Sequence, residues 1–192
     1  MPHTQVVTRE HSKVLALHGF LDQRAETVIT RMWEHAGALD VDIHKPPEGV
    51  RPHLTLGSWE LDDVPAGLAE RTATALGAIP RVTLNCTVRL AARQQAHFSL
   101  APLIQHDLLN WHEDIHRRIG AIGTPRRAAD FPGHWNPHIT LFNCEEEDLP
   151  SAYDLLKTLP LPLKAEVVSA GLLLYARHEP VRSLISVSIG GG

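Results

Sequence analysis

The sequence predicts an α+β fold of two similar lobes, each an antiparallel sheet with helices packed outside, and an active-site cleft between the lobes. Three observations carry that expectation. The pentad Pro52-His53-Leu54-Thr55-Leu56 returns 85 positions later, almost unchanged, as Pro137-His138-Ile139-Thr140-Leu141. The elements predicted around the two pentads follow the same order: strand, helix, His-strand, helix, strand, with one further strand closing the chain. The length of 192 residues suits a single bilobal domain over 1–192, with pseudo-repeats at about 12–90 and 95–189.

The elements follow from the pattern in order. Residues 12–20, SKVLALHGF, alternate apolar and polar as a strand does. Asp22 is placed to cap a helix that carries Ala25, Val28, Ile29, Met32, Trp33 and Ala36 at helical spacing, with Gly37 near its end and a limit at about Leu39. PPEGV at 46–50 is a turn-rich connector, and 51–57 hold the first His-strand. Pro65 suits a helix's first turn, giving a helix over 66–77. Residues 80–90 alternate strictly as a strand, and 95–101 form a short one ended by Pro102. A helical pattern runs over 104–120, then 121–136 are rich in Gly, Pro and Arg and read as a loop. The second His-strand is 137–143. The acidic run Glu145-Glu146-Glu147-Asp148 complements the dipole of a helix reaching about Leu159. Strands over 164–176 and 181–189 finish the fold, and Gly190-Gly191-Gly192 is a fraying end.

Composition removes several function classes. No apolar run approaches the ~20 residues needed to cross a bilayer, and the first residues, MPHTQVVTREHSK, lack the apolar stretch of a signal peptide. The expected location is the cytoplasm, with no membrane partner. Cys86 and Cys144 stand outside any CxxC and are expected to be reduced thiols. A formal net charge of -4 argues against a long nucleic-acid groove, so a nucleic-acid partner would be a small ligand or a chain end. No protein partner is predicted.

The repeated pentad has a chemical use. On a strand, residues i and i+2 share a face, so His53 projects with Thr55 and His138 with Thr140, while Leu54, Leu56, Ile139 and Leu141 anchor the other face in a core. Pro52 and Pro137 fit a strand's first position. Cleaving a phosphodiester requires a proton to leave the attacking oxygen and another to reach the leaving oxygen, the two lying roughly in line across phosphorus. Two imidazoles from facing lobes can serve both ends. Their ordinary pKa of about 6.5 keeps both protonation states accessible near neutrality. The Thr hydroxyls can donate to the non-bridging oxygens. The scheme needs no metal and no cofactor.

The paired stretches His53-Leu54-Thr55-Leu56 and His138-Ile139-Thr140-Leu141 resemble the twin signature of the 2H phosphoesterase superfamily, and within it the 2′-5′ RNA ligase and cyclic-nucleotide phosphodiesterase branch. The resemblance spans nearly the whole chain in length and element order. It implies a bilobal fold with the motifs facing across a cleft. It implies metal-free cleavage of a 2′,3′-cyclic phosphate or a 2′-5′ linkage at the end of a nucleotide or RNA. It also implies that His53 and His138 divide the acid and base roles while Thr55 and Thr140 hold the phosphate. Some ligase-like members carry a basic residue shortly after the second motif. Here Phe142-Asn143-Cys144 occupies that region, which argues against ligation and against a grip on long RNA.

Further candidates surround this set. Arg126 and Arg127, before the second motif, could supply positive charge; Trp135, Phe98 and Tyr175 could stack on a base; His134 could line the cleft. Two alternatives compete. His112-Glu113-Asp114-Ile115-His116 fits the HExxH of zinc peptidases, with both imidazoles on one helix face and Glu113 as base. Alternatively, the cleft only binds a nucleotide or RNA end without turning it over.

Overall fold

The computed structural model describes residues 13–38, 43–44, 50–92, 95–176 and 179–190. The polar first twelve residues, most of the PPEGV connector, the expected helix end at Leu39 and the last two glycines lie outside them. In chain order the elements are β1 (Lys13–Leu21), α1 (Gln23–Ala38), β2 (Ile43–His44), β3 (His53–Leu61), α2 (Leu68–Gly77), β4 (Val82–Ala92), β5 (Ala96–Pro102), α3 (His106–Ile119), β6 (Thr124–Pro125), β7 (Ile139–Cys144), α4 (Leu149–Leu156), β8 (Leu163–Tyr175) and β9 (Arg182–Ser188). The α+β class follows the sequence pattern.

The ends of the helices have local causes. Asp22 caps α1: its Oδ1 accepts from the Ala25 N–H at 3.1 Å, and its Oδ2 accepts from the Glu166 N–H at 2.6 Å, tying the helix start to β8. Helix α2 starts later than Pro65 predicts, because Gly67 takes a left-handed φ of 68° and breaks the chain direction just before Leu68. Gly120, with φ 73°, stops α3, its N–H donating to the His116 carbonyl.

All strand pairings among the described residues are antiparallel, and the order β2-β7-β5-β4-β8-β1-β3-β6 forms one hydrogen-bonded path. The lobes therefore do not coincide with the halves of the sequence. The long β8 joins them: Leu163–Val167 pair with β4, Val167–Tyr175 pair with β1, and β9 takes the edge of β8 that β4 leaves. Strand β4, from the first half, pairs with β5 of the second.

The core lies on the face away from the His-Thr pairs. Leu54, Leu56, Ile139 and Leu141 are fully buried, as are Leu15, Leu17, Phe98 and Phe142. A buried aliphatic side chain contributes about 1.5–3 kcal/mol, so a one-residue slip, which would turn these four outward and the His and Thr inward, is strongly disfavoured.

Both His-strands carry a bulge at the same motif position. Leu17 faces Gly57 and His18 faces Thr55, leaving Leu56 unmatched. Phe98 faces Phe142 and Ser99 faces Thr140, leaving Leu141 unmatched. A bulge bends its strand and leaves a residue outside the ladder. Each unmatched carbonyl is satisfied by a helix from the other half of the chain. The Leu141 carbonyl accepts from Trp33 Nε1 of α1 at 2.7 Å. The Leu56 carbonyl lies 2.9 Å from His112 Nε2 and 2.7 Å from His116 Nε2 of α3. The exchange locks the two motif strands into one unit.

Candidate functional site

Each motif histidine is fixed by the carbonyl two residues before it. His53 Nδ1 lies 2.8 Å from the Arg51 oxygen, and His138 Nδ1 lies 2.9 Å from the Asn136 oxygen. A carbonyl only accepts, so each ring carries its proton on Nδ1 and presents Nε2 for exchange. Pro52 and Pro137 make this contact possible. A residue before proline is held extended, which aims its carbonyl steadily, and both prolines are buried as hinges of the clamp. The motif is therefore Xaa-Pro-His-aliphatic-Thr-Leu: the backbone of Xaa sets the tautomer and the final Leu sets the bulge.

Strands β3 and β7 approach within 8 Å between Cα atoms, and His53 is close enough to His138 to feel its charge. Both imidazoles are held below the ordinary histidine range. For His53 the main cause is burial, opposed by the Arg51 carbonyl and reinforced by the charge His138 would carry. For His138 it is again burial, opposed by the Asn136 carbonyl, with Arg89 and His97 lowering and Asp130 raising.

Three cavities meet here. One of about 480 Å³ lies against His53 and is walled by Phe20, Val50, Leu173, Tyr175 and Val181. Its shape depends on Gly171, where a Cβ would come within 2.8 Å of the Phe20 ring. Arg51 lies over that ring, 4.4 Å from its centroid, while Glu26 holds its guanidinium at 2.7 and 2.8 Å. A second cavity, about 1480 Å³, surrounds His138 and Thr140 and is polar, with Arg89, His97, Arg127, Asn136 and Asn143 in its wall. A third, about 180 Å³, holds His53, Thr55, Arg126, Arg127, Asp130 and Tyr175. Arg127 belongs to both of the latter two and so bridges the lobes.

Between them the three cavities are lined by His53, Thr55, His138, Thr140, Arg126, Arg127 and Tyr175, and the other three candidates line none of them. Phe98 is fully buried against Phe142, with ring centroids 4.9 Å apart, because the alternation of β5 points Phe98 to the core and His97 to the cleft. Trp135 is a brace: its Nε1 donates to the Thr55 carbonyl at 3.0 Å, and its ring lies flat on His112 at 3.8 Å. His134 is exposed and lines none of the three cavities.

The HExxH stretch also takes a different role from a metal site. His112 and His116 turn Nε2 toward the Leu56 carbonyl, which uses the atoms a zinc ion would need, and Glu113 is exposed. Among the described residues no group of three or more His, Cys, Asp or Glu is arranged to hold a metal ion. Burial, then the neighbouring His116, pushes His112 down to about 3.

Several residues at the site escape the sequence pattern. His18 stacks on His53, Arg89 Nη1 donates to the Asn136 side chain at 2.6 Å, and His97 Nδ1 meets Asn143 Oδ1 at 2.6 Å. Asp130, buried, accepts from Ser58 Oγ. Glu145, read as part of an acidic run that serves the helix dipole, lines the polar cavity. Alternation along β4 and β5 could have flagged Arg89 and His97.

No family model and no curated protein matches the chain. Solved structures do. The crystal structure of Escherichia coli LigT in its apo form superposes with a TM-score of 0.56 at 19% identity, covering 93% of this chain and 98% of LigT. The fold is that of LigT. LigT complexed with 3′-AMP matches with a TM-score of 0.54 at 17% identity, covering 93% of this chain and 98% of that one. A structure described as a phosphoesterase matches with a TM-score of 0.50 at 19% identity, over 93% and 98%. At these identities the likeness to LigT establishes the fold alone. Among the described residues no helix is long and apolar enough to cross a membrane.

Proposed function

We propose that this chain is a 2H-type phosphoesterase that hydrolyses a 2′,3′-cyclic phosphate or a 2′-5′ linkage at the end of a nucleotide or RNA without a metal ion. One observation carries the reading: two imidazoles on neighbouring strands, each clamped at Nδ1 by a carbonyl across a proline, leave Nε2 free, and the charge of His138 is felt at His53. In the reaction one neutral Nε2 takes the proton of the attacking water. The other, protonated, gives its proton to the leaving ribose oxygen. Thr55 and Thr140 donate to the non-bridging oxygens, and Arg127, between the two cavities, balances their charge.

The walls favour a nucleotide lying across the cleft. An aromatic and aliphatic cavity beside His53 suits a base, and a polar cavity with Arg89 and Arg127 suits the sugar-phosphate portion. LigT, of the same fold, is known complexed with 3′-AMP, which fits a nucleotide ligand here.

The test is hydrolysis of a 2′,3′-cyclic nucleotide in excess chelator, with His53→Ala and His138→Ala alongside. Activity is expected to persist in chelator and to fall at least about 10²-fold in each variant, the scale of one lost acid or base. Near-normal turnover in either variant removes the mechanism. Binding without any turnover by the wild type would leave a nucleotide-binding protein of the same fold.

A further inference from the structure

The cleft contains a third imidazole that neither motif supplies. His18, on β1, is only 5% exposed, and its ring lies nearly parallel to that of His53, with centroids 3.8 Å apart and planes 11° apart. We propose that His18 is a positioning residue for His53: it fixes the plane of the catalytic ring and screens one of its faces from water. The proposal rests on the reading of His53 as a proton-transfer group.

The bulge at Leu56 makes the stack possible. Directly opposed residues of an antiparallel pair share a face, and His18 stands opposite Thr55, with Phe20 opposite His53. His18 therefore points into the cleft, diagonal to His53. With no extra residue at Leu56, the register running from Leu17 opposite Gly57 would set His18 against Leu56, whose side chain faces the core. The same bulge that needs His112 and His116 to close it thus swings His18 under His53.

The contact has the character of a support. Arg51 fixes the edge of His53 through Nδ1, His18 holds a face, and a turn of the ring about its own bond breaks both contacts. Phe20 and Tyr175 surround His18 in turn, at 6.3 and 6.2 Å between centroids. Burial, then the charge His53 would carry, pushes His18 down to about 2, so it stays neutral under His53 at any working pH. Among the described residues the other lobe has no such device. Ser99 stands opposite Thr140 where His18 stands opposite Thr55, and its hydroxyl is buried without a partner. His97 meets His138 edge-on, at 5.9 Å and 82°. Among the described residues, one of the two proposed catalytic rings is stacked.

The experiment compares His18→Ala, which opens the space, with His18→Phe, which keeps a flat ring and removes its nitrogens; His18→Thr replaces the alanine variant if that one does not fold. The first readout is the NMR titration of the His53 imidazole, assigned with His53→Gln. The other titratable or charged groups facing His53 are Arg51 before β3, Tyr175 from β8, His138 across the cleft, and Arg126, Arg127 and Asp130 from the loop, and all remain in both variants. In His18→Ala the His53 pKa is expected to rise by about one unit as water reaches the ring, and in His18→Phe to stay at the wild-type value. The second readout is cyclic-nucleotide turnover: kcat is expected to fall about 10-fold in the alanine variant with KM little changed, and to recover in the phenylalanine variant. An unchanged His53 titration in folded His18→Ala overturns the proposal. So does a phenylalanine variant as impaired as the alanine one, because the nitrogens and not the stack would then matter. If the wild type hydrolyses no cyclic nucleotide, the functional reading fails by itself and the titration still decides the role of His18.

Discussion

Acid should destabilise this protein well before its carboxylates titrate, and the size of the effect follows from two buried rings. His18 is 5% exposed and His112 1%. Their pKa values lie at about 2 and about 3, burial being the main cause in both. In the unfolded chain each titrates near 6.5. Above that value neither state binds a proton and the rings add nothing to the pH dependence. Below it the unfolded chain takes up protons that the native fold excludes, so stability falls as pH falls, down to the folded pKa values. At 1.36 kcal/mol per unit, going from neutrality to pH 5 costs about 2 kcal/mol per ring, or about 4 for the pair. His53, His116 and His138 are also lowered and add in the same direction. A domain stable by about 5–15 kcal/mol would lose a large share of its margin. Urea melts at pH 7.5 and pH 5.0 measure the loss directly, and His18→Phe should shrink it by roughly one ring's share. Equal stability at the two pH values, or no change in the pH dependence of His18→Phe, would refute the reasoning.

Two further outcomes are expected. Trp33→Phe keeps a ring in α1 but deprives the bulged Leu141 carbonyl of its donor; stability should drop by about 1–3 kcal/mol in urea melts, and a loss below about 0.5 would mean that the carbonyl finds another partner. Gly171→Ala places a methyl 2.8 Å from the Phe20 ring and forces it into the cavity beside His53; a cost of about 1–3 kcal/mol together with a raised KM for the nucleotide is expected, and an unchanged KM would show that this cavity does not hold the base.

The motif strands, the Asp22 cap and the helix of the HExxH stretch were all legible, because each rests on a local period or a local hydrogen bond. What escaped depends on partners far along the chain. The two bulges add one residue each, and only the run Leu141-Phe142, two apolar residues where alternation demands one, hints at them in the sequence. Phe98 was assigned to the cleft for being aromatic, although the alternation of Ala96, Phe98 and Leu100 already points it inward with the core. Trp135 and the HExxH histidines carry groups that look like ligands for something external, yet they donate to the Thr55 and Leu56 carbonyls. A polar group on an apolar face has the same signature in sequence whether it meets a substrate or a bulged backbone. His18 was hidden for the opposite reason: within LALHGF it reads as one polar step of an alternating strand, and its partner is defined only once the register across Leu56 is known.

The repeated pentad accounts for what is symmetric at the site, and on the proposed reading the chemistry rests on what is not. Both rings are clamped at Nδ1 in the same way, so nothing within the motif can make one the acid and the other the base. A phosphodiester needs one of each at the same moment, and the surroundings have to make the distinction. On one side stand a stacked neutral imidazole and an apolar wall; on the other stand Arg89 and His97, which disfavour a proton on His138, and the carboxylate of Asp130, which favours one. Burial is the main cause on both sides, and around His138 the charges of Arg89, His97 and Asp130 act in addition to it. Changes in ionic strength should therefore be felt mainly through His138, because salt screens charges in an open polar cavity far more than it alters the cost of burying a ring. On the proposed reading the repeated pentad supplies two proton carriers of the same make, and the unrepeated residues around them give each its own environment.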